Sequence, residues 1–296
     1  MNKKIFITGD SGFVGSNIIS KLTEFSFRKF DRNENIEILE DIVLNLAGKA
    51  HDLKNKSIYN EYIQVNTVLT KTIYDAFLAS KAKVFITLSS VKAVADEVEG
   101  VLTEECIPNP ASNYGKSKLL ADEYILSKQI PEGKRVYILR PCMIHGPGNK
   151  GNLNLLYKIV KKGIPWPLGA FENKRSFCSI DNLCFILNEL IENNQIPSGI
   201  YNIADDEPLS THDLIQLISK SLGKDASIWN IPKSLIIGFA KIGNVFKLPL
   251  NTERLDKLTE TYLVSNQKIK TAINKHLPIS SRDGLFKTLN SFIGNA

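Results

Sequence analysis

A strand, a glycine turn and a helix stand at the start of this chain, and that combination restricts what can follow. Ile5-Phe6-Ile7-Thr8 is a short apolar run rich in β-branched and aromatic residues, which reads as a buried strand. Glycines follow at positions 9, 12 and 15, around Phe13 and Val14; then Ile18, Ile19 and Leu22 recur at helical spacing. Such a turn aims backbone N–H groups and a helix N-terminus at one spot, which suits a pyrophosphate. Glycine lets a backbone come that close. The spacing is G-x-x-G-x-x-G, not the G-x-G-x-x-G of most dinucleotide folds. Gly-rich turns also end strands for steric reasons, so the turn by itself leaves both readings open.

The next segments bear on that choice. Phe25 to Phe30 alternates like a second strand and ends at Asp31, 22 residues after Gly9. An acid about twenty residues past the glycines suits a ribose 2′-OH; the competing reading is a turn-forming Asp at a strand end. Arg32 follows and would suit a 2′-phosphate instead. Ile42-Val43-Leu44-Asn45-Leu46, running into Ala47 and Gly48, is the next strand. Residues 32–41 must connect the two. Ten extended residues reach about 33 Å, enough for a parallel return of roughly 10 Å sideways and about 17 Å back. No full helix fits, so the helix–strand–helix portion usual in such folds is expected to be missing. The adenine side of the cofactor site should then be open.

Farther on, helical patterning from about Ile58 to Ser80 precedes the strand Val84–Leu88, which ends in Ser89-Ser90. Ser112 or Asn113 can cap a helix carrying Tyr114, Lys118 and Tyr124. Val136–Leu139 is a further strand, closed by Arg140-Pro141 and Gly146-Pro147-Gly148. Strands alternating with helices predict a doubly wound α/β fold with a parallel sheet. The pattern changes after residue 148. Expected are helices at 153–162, 211–222 and 233–246, an apolar helix after Ile180, and a strand at Gly199–Ile203. The expected division is a cofactor-binding domain from 1–148 plus 176–204, and a smaller, mostly helical substrate lobe from 149–175 plus 205–296.

Composition narrows the function classes. With 296 residues, 43% hydrophobic and 23% charged, the chain can bury a large core. Its net charge of +6 is spread in small groups such as Lys3-Lys4, Lys54 with Lys56, and Lys161-Lys162. No basic run interleaves with aromatics, which argues against nucleic acid. A mild positive balance suits an anionic substrate or plain solubility. Cys106, Cys142, Cys178 and Cys184 include no C-x-x-C, so neither a disulfide framework nor a metal site is expected. The first strand begins by residue 5, which leaves no room for a signal peptide. Leu235–Phe246 is apolar but short and broken by Lys241, so it cannot span a bilayer. The expected setting is the cytoplasm, with no membrane partner.

Tyr114 and Lys118 are four apart and share a helix face. A phenol is a poor base at neutral pH, and a neighbouring ammonium favours its phenolate. Tyr-x-x-x-Lys alone also describes many solvated helix faces. Its context raises it: the glycine turn, and Ser90 at a strand end 24 residues upstream. Taken in order, Thr8-Gly9-x-x-Gly12-Phe13-x-Gly15, Leu46-Ala47-Gly48, Ser89-Ser90, Tyr114-Gly115-Lys116-Ser117-Lys118 and Arg140-Pro141-x-x-x-x-Gly146-Pro147-Gly148 resemble the extended short-chain dehydrogenase/reductases. Within them the likeness is to the nucleotide-sugar epimerase/dehydratase group, whose fold is of Rossmann type. The resemblance covers nearly the whole chain. It implies a catalytic triad of Ser90, Tyr114 and Lys118, with Lys118 also on the nicotinamide ribose and Ser90 on the reacting sugar oxygen. It implies NAD as cofactor, NADP not being excluded, a nucleotide-sugar substrate, and a homodimer through the helices near 60–80 and 112–128. The cofactor residues are then Gly9, Gly12, Phe13, Val14, Gly15, Asp31, Arg32, Leu46, Ala47, Gly48 and Pro141, with Tyr114 and Lys118.

On the substrate side the resemblance carries a phosphate-binding role to Arg175 in Arg175-Ser176-Phe177, where a planar guanidinium suits bidentate contact. It carries a diphosphate contact to Asn152 and a second phosphate arginine to Arg254. Plain surface positions are the alternatives for both arginines. Some residues depart from the pattern. Ala93-Val94-Ala95 replaces Val-Tyr-Gly, and His145 stands where a Tyr is usual, either as a substrate contact or as a packed loop residue. Lys92 resembles the Ser-Ser-x-Lys of 4-epimerases and 4-ketoreductases, and either reaches the substrate or is solvated. The 4,6-dehydratases of the group carry an Asp-Glu pair where Val91 and Lys92 stand, so dehydration is excluded. Hydride exchange at C4 of a nucleotide-linked hexose remains, as a 4-epimerase or as a 4-ketoreductase. A non-catalytic cofactor sensor is the third reading; such proteins tend to lose the Tyr or Lys, and both are present.

Overall fold

The first three strands set the frame on which the site is built. The computed structural model describes residues 2–50, 59–149, 151–246 and 251–293. Lys54, Lys56 and Ile58 lie outside the described residues, as does the side chain of Asn152. β1 (Lys4–Thr8) passes through the glycine turn into α1 (Phe13–Lys21). β2 (Ser26–Lys29) returns on one side of β1, and β3 (Ile42–Asn45) pairs with the other. α2 (Tyr59–Tyr62), a π-helical turn at Ile63–Val68 and α3 (Leu69–Ala79) run on without a break in helical dihedrals. β4 (Val84–Leu88) leads to a 3-10 turn at Val91–Ala93, then β5 (Val101–Leu102) and α4 (Asn113–Leu126). β6 (Arg135–Pro141) and β7 (Met143–His145) precede α5 (Asn152–Lys161), β8 (Phe177–Ser179), α6 (Ile180–Glu192) and β9 (Gly199–Ile203). The described chain closes with α7 (Thr211–Ser221), α8 (Lys233–Phe246), α9 (Thr252–Thr259), β10 (Leu263–Val264), α10 (Gln267–Ile273) and α11 (Ser281–Ser291).

Six strands form one sheet in the order β2-β1-β3-β4-β6-β9, parallel throughout. Alternate residues serve opposite faces, as the two-residue strand period requires. Ile5, Ile7, Ile42, Leu44, Ile86, Tyr137 and Leu139 pack with α1 and α6, through Ile18, Leu183 and Ile186. Phe6, Val43, Phe85, Val136 and Ile138 pack with α3 and α4, through Ile73, Tyr74, Phe77 and Ile125. Burial on both faces explains why these strands are nearly continuous apolar runs.

Between Lys29 and Ile42 the chain holds neither helix nor strand, as the short spacing requires. Arg28 clasps this crossing: Nε donates to Glu40 Oε1 at 2.6 Å, and the guanidinium lies 4.5 Å from the centre of the Phe6 ring. β2 is therefore the last strand of the sheet on this side.

Two further clusters gather around α5, α7, α8, α9 and α11, including Tyr157, Ile218 and Leu289 in one and Trp166, Ile236 and Leu255 in the other. The stretch from 205 onward does not stay with them. Tyr262, Val264, Ile269 and Ile273 pack into the cluster beneath the large sheet, and β10 pairs with β5. The expected 205–296 part of the lobe is thus interrupted, because this short apolar segment is needed to cover the sheet's open flank. His145, one of the two readings left open above, is wholly buried; its Nδ1 pairs with Thr288 Oγ1 at 2.9 Å, so it is a packed residue. All four cysteines are free. Among the described residues no cluster fits a metal ion, and no helix is long and apolar enough to cross a membrane.

Candidate active site

Strand order reverses around β1, which has β2 on one side and β3 and β4 on the other. In open α/β sheets the crevice at such a reversal, beyond the strands' carboxyl ends, is where ligands bind. The glycine turn and Leu46-Ala47-Gly48 lie there. Gly9 has φ +71°, and a Cβ on it would stand 2.8 Å from Leu46 C and Ala47 N. At Gly15 a Cβ would stand 2.3 Å from the Gly9 carbonyl oxygen. Gly12 differs: its φ is −72°, and a Cβ would meet only Gly9 O at 3.3 Å. It caps α1, and no side chain bonds this helix terminus. Among the described residues the first-turn N–H groups thus have no side-chain acceptor, so they can take water or an anionic group. Phe13 lies against Gly146, where an added Cβ would be 3.5 Å from the ring, and Asn17 Nδ2 donates to Pro147 O at 3.1 Å. Pro141 is buried at the end of β6. Asp31 and Arg32 are exposed just past β2. The Asp31 carboxylate accepts from Asn33 N at 2.9 Å, so Asp31 does form the turn that its alternative reading described.

Ser90, Tyr114 and Lys118 come from two elements. Ser90 follows β4 and caps the 3-10 turn, its Oγ accepting from Lys92 N at 3.2 Å. Ser112 caps α4 by accepting from Gly115 N at 3.1 Å, which fixes where Tyr114 and Lys118 begin. Burial raises the Tyr114 phenol above its ordinary pKa, while a hydrogen bond with Ser90 pulls the other way. Burial brings Lys118 down to about 8, against the pull of Asp122. Lys118 Nζ donates to Leu88 O at 2.8 Å and would be 3.0 Å from a Cβ on Gly48. The sequence suggested that the ammonium would act straight on the phenol. The geometry instead ties the ammonium to the end of β4, while Ser90 is the side chain that favours the phenolate.

Two supports were not foreseen. In the π-helical turn, Asn66 Nδ2 donates to Ser117 Oγ at 2.9 Å, Asn66 Oδ1 accepts from Lys49 N at 2.7 Å, and Thr67 Oγ1 donates to Ser117 O at 2.7 Å. A π-turn carries one residue more than the α-helix needs, and such insertions gather at functional sites. Here it directs both polar side chains at α4 between Tyr114 and Lys118. The second support is Asp122, one turn beyond Lys118. Its carboxylate accepts from Ser89 Oγ at 2.9 Å and from Arg140 Nε at 2.9 Å, all three buried. Asn66 and Asp122 stand among other polar residues of their helices, and nothing in the sequence singled them out.

Farther from the glycine turn, Lys92 and Arg175 meet around Tyr262 and Glu260. Lys92 Nζ lies 4.3 Å from the Tyr262 ring centre and donates to Asp96 O at 2.5 Å. Burial lowers its pKa, offset by Glu260 and Asp96. Arg175 donates from Nε to Glu260 O at 3.2 Å and also bonds the Lys257 carbonyl. Tyr262 Oη donates to Ala95 O at 2.8 Å, joining this corner to the turn after Ser90. Arg254 is exposed on the first turn of α9, on a different element from Arg175. Asn152 begins α5, and its side chain lies outside the described residues.

A parallel sheet with this reversal, an uncapped glycine turn at the crevice and a Tyr–Lys helix beside a strand-end Ser define a dinucleotide-dependent enzyme of the Rossmann type. The sequence model of the NAD dependent epimerase/dehydratase family matches residues 5–204. The chain belongs to that family and is an NAD(P)-dependent enzyme. It is 27% identical to the UDP-glucose 4-epimerase of Vibrio cholerae, over 99% of this chain and 96% of that protein. It is 25% identical to the N-acetyl-α-D-glucosaminyl-diphospho-ditrans,octacis-undecaprenol 4-epimerase of Escherichia coli O157:H7, over 91% of this chain and 85% of that one. Among solved structures, RMD from Pseudomonas aeruginosa complexed with NADPH superposes with a TM-score of 0.77, at 20% identity, over 100% of this chain and 99% of that one. That last likeness concerns the fold.

Proposed function

We propose that the chain is a 4-epimerase of a nucleoside-diphosphate hexose or acetamido-hexose, with UDP as the favoured nucleotide. The observation that carries this reading is the placement of Ser90 at the end of β4 beside the Tyr114 phenol, with Lys118 one turn farther along α4 and bonded to Leu88 O. NAD, when bound, supplies a hydride acceptor and donor at its nicotinamide. Tyr114 Oη takes the proton from the sugar C4 hydroxyl and returns it after the 4-keto sugar has presented its other face. Ser90 Oγ holds the reacting sugar oxygen. Lys118 holds the nicotinamide ribose from the β4 side. The N-terminus of α1, with Gly9, Gly12, Phe13, Val14 and Gly15, takes the pyrophosphate, and Asp31 the adenine ribose. Lys92, Asn152, Arg175 and Arg254 serve the sugar and its phosphates. Val91 and Lys92 supply no acid–base pair for removing water, so the chemistry stops at hydride exchange. We read the protein as a cytoplasmic homodimer joined through the helices near 60–80 and 112–128, serving polysaccharide synthesis.

One observation favours a second reading, the NAD(P)H-dependent 4-ketoreductase. An epimerase regenerates its cofactor in place, whereas a reductase must exchange it every turnover. Among the described residues the crossing from Lys29 to Ile42 adds neither helix nor strand beyond β2 on the adenine side, which favours exchange. Incubating the holoenzyme with UDP-glucose and UDP-N-acetylglucosamine, with nicotinamide absorbance followed throughout, separates the two. A C4 epimer formed with no net cofactor consumption supports the epimerase. Product formed only in step with NAD(P)H loss overturns it in favour of the reductase. Tyr114→Phe is expected to lower kcat by at least about a thousandfold while retaining cofactor affinity; undiminished turnover would remove Tyr114 from the chemistry.

A further inference from the structure

α8 carries a stripe of large apolar side chains that the fold does not cover. Leu235, Phe239, Ile242 and Phe246 recur at helical spacing, and all four are exposed, from 49% at Ile242 to 71% at Phe246. Ile236 and Ala240, on the neighbouring face of the same helix, are buried against Trp166, Leu168 and Leu255. The helix is thus anchored in the lobe by one face and shows another, wholly apolar, outward. Asn244 and Thr252 exchange hydrogen bonds that fix it to α9. Trp229 and Ile164 extend the apolar area, both more than half exposed. Their loops are joined to each other: Trp166 N donates to Ser227 O at 2.9 Å, and Trp229 N to Trp166 O at 2.8 Å.

The same end of the molecule is cationic. Between 151 and 175 the sequence carries five basic residues (Lys158, Lys161, Lys162, Lys174 and Arg175) against the single acid Glu172, with Asp225, Glu253 and Asp256 as the acids on the neighbouring loop and α9. Lys158, Lys161 and Lys162 are exposed at the end of α5, and Lys224 Nζ reaches the Lys161 carbonyl at 3.3 Å. Lys233 and Lys241 are exposed on α8 itself. A second copy would meet this patch with the same charges, because a twofold interface presents the same surface twice. An anionic lipid surface answers both features: acyl chains take the apolar stripe and headgroups take the lysines.

We propose that α8, with the 163–169 and 227–231 loops, docks the enzyme on an anionic phospholipid bilayer, lying in the interface rather than spanning it. The inference goes beyond the epimerase reading and does not depend on it. α9, whose end holds Arg175, packs beside α8. Docking would therefore bring the substrate corner close to the headgroup plane, within reach of sugars carried on a lipid diphosphate.

The test is co-sedimentation of the full chain with phosphatidylcholine vesicles, with and without about one-third phosphatidylglycerol. Binding to the anionic vesicles is expected to be at least about tenfold tighter than to pure phosphatidylcholine, and to weaken in about 0.5 M salt. Phe239→Ser with Phe246→Ser should lose it while NAD affinity and melting temperature stay as in wild type. Should that pair unfold, Lys161→Glu with Lys162→Glu, both exposed, is expected to cut anionic binding about tenfold. Wild-type protein remaining in the supernatant overturns the proposal, as does undiminished binding by a folded variant. A wild-type oligomer that the serine pair dissociates, with no vesicle binding, assigns the stripe to a second copy instead.

Discussion

Lys118 is the residue at which stability and chemistry pull hardest against each other. A lysine exposed in the unfolded chain titrates near 10.5, and burial brings this one to about 8. Between those values the unfolded chain keeps a proton that the folded one releases, so folding stability rises with pH across that window. The shift corresponds to about 3 kcal/mol, fully felt below pH 8 and gone above 10.5. Lys118→Met removes the titration. The melting temperature of wild type relative to this variant is therefore expected to climb between pH 7 and pH 10. A pH-independent difference would mean that the ammonium is better solvated than its surroundings suggest. The positions of Ser90 at a strand end and of Tyr114 and Lys118 on one helix were legible in the sequence because they depend on local spacing and order. Asp122 was not, because its partners are Ser89 and Arg140 on two other elements. Lys118's tie to Leu88 O was hidden for the same reason.

At the scale of elements, the three glycines of the first turn divide into two kinds. Gly9 and Gly15 are required by the chain's own packing, whereas packing leaves Gly12 room for a Cβ, and the proposed pyrophosphate site is what would require it. Gly9→Ala combines a left-handed residue, at roughly 1–2 kcal/mol, with overlap against the backbone of Leu46 and Ala47. It should lower stability by about 2–4 kcal/mol, seen as a loss in denaturant midpoint. Gly12→Ala should change that midpoint by no more than about 0.5 kcal/mol and still weaken NAD binding at least about tenfold in a calorimetric titration. Equal damage to folding by both would erase the distinction. Sequence spacing marked all three as one motif; only the strand brought against Gly9 separates them. The π-helical turn was equally hidden, since its apolar pattern passes for ordinary α-helix. By contrast, the missing segment after β2 was legible from chain length alone, because reach is set by covalent geometry.

For the whole molecule, the junction of Arg175, Glu260, Lys92 and Tyr262 matters most, because it is assembled from three separated stretches. Arg175 bonds the carbonyls of residues 257 and 260, Tyr262 reaches Ala95, and Lys92 covers the Tyr262 ring. Arg175→Ala removes one of two side-chain donors to the part-buried Glu260 carbonyl, the other being Asn173 Nδ2, at about 0.5–1.5 kcal/mol. If Arg175 also serves the substrate's phosphates, KM should rise at least about tenfold with kcat within about threefold. A fall in kcat alone, with KM unchanged, would confine Arg175 to holding the lobe together. The lobe itself was the least legible part. Its core is stitched from 149–175, 205–261 and 281–293, while 262–273 leaves to cover the sheet, and no local pattern marks that exchange.

The crossing after β2 has a consequence for association as well as for cofactor access. Where a third strand would continue the sheet, β2 presents its outer row of backbone N–H and C=O groups, and open edges of this kind invite pairing with another chain. The edge is only four residues long and carries Arg28 and Lys29. Glu40 holds Arg28, and Lys29 Nζ reaches Asp10 at 3.5 Å. The shortened crossing thus left a sticky seam, and the chain guards it with brevity and charge. Any variant that neutralises Arg28 and Lys29 together trades a compact cofactor domain for one prone to templated aggregation.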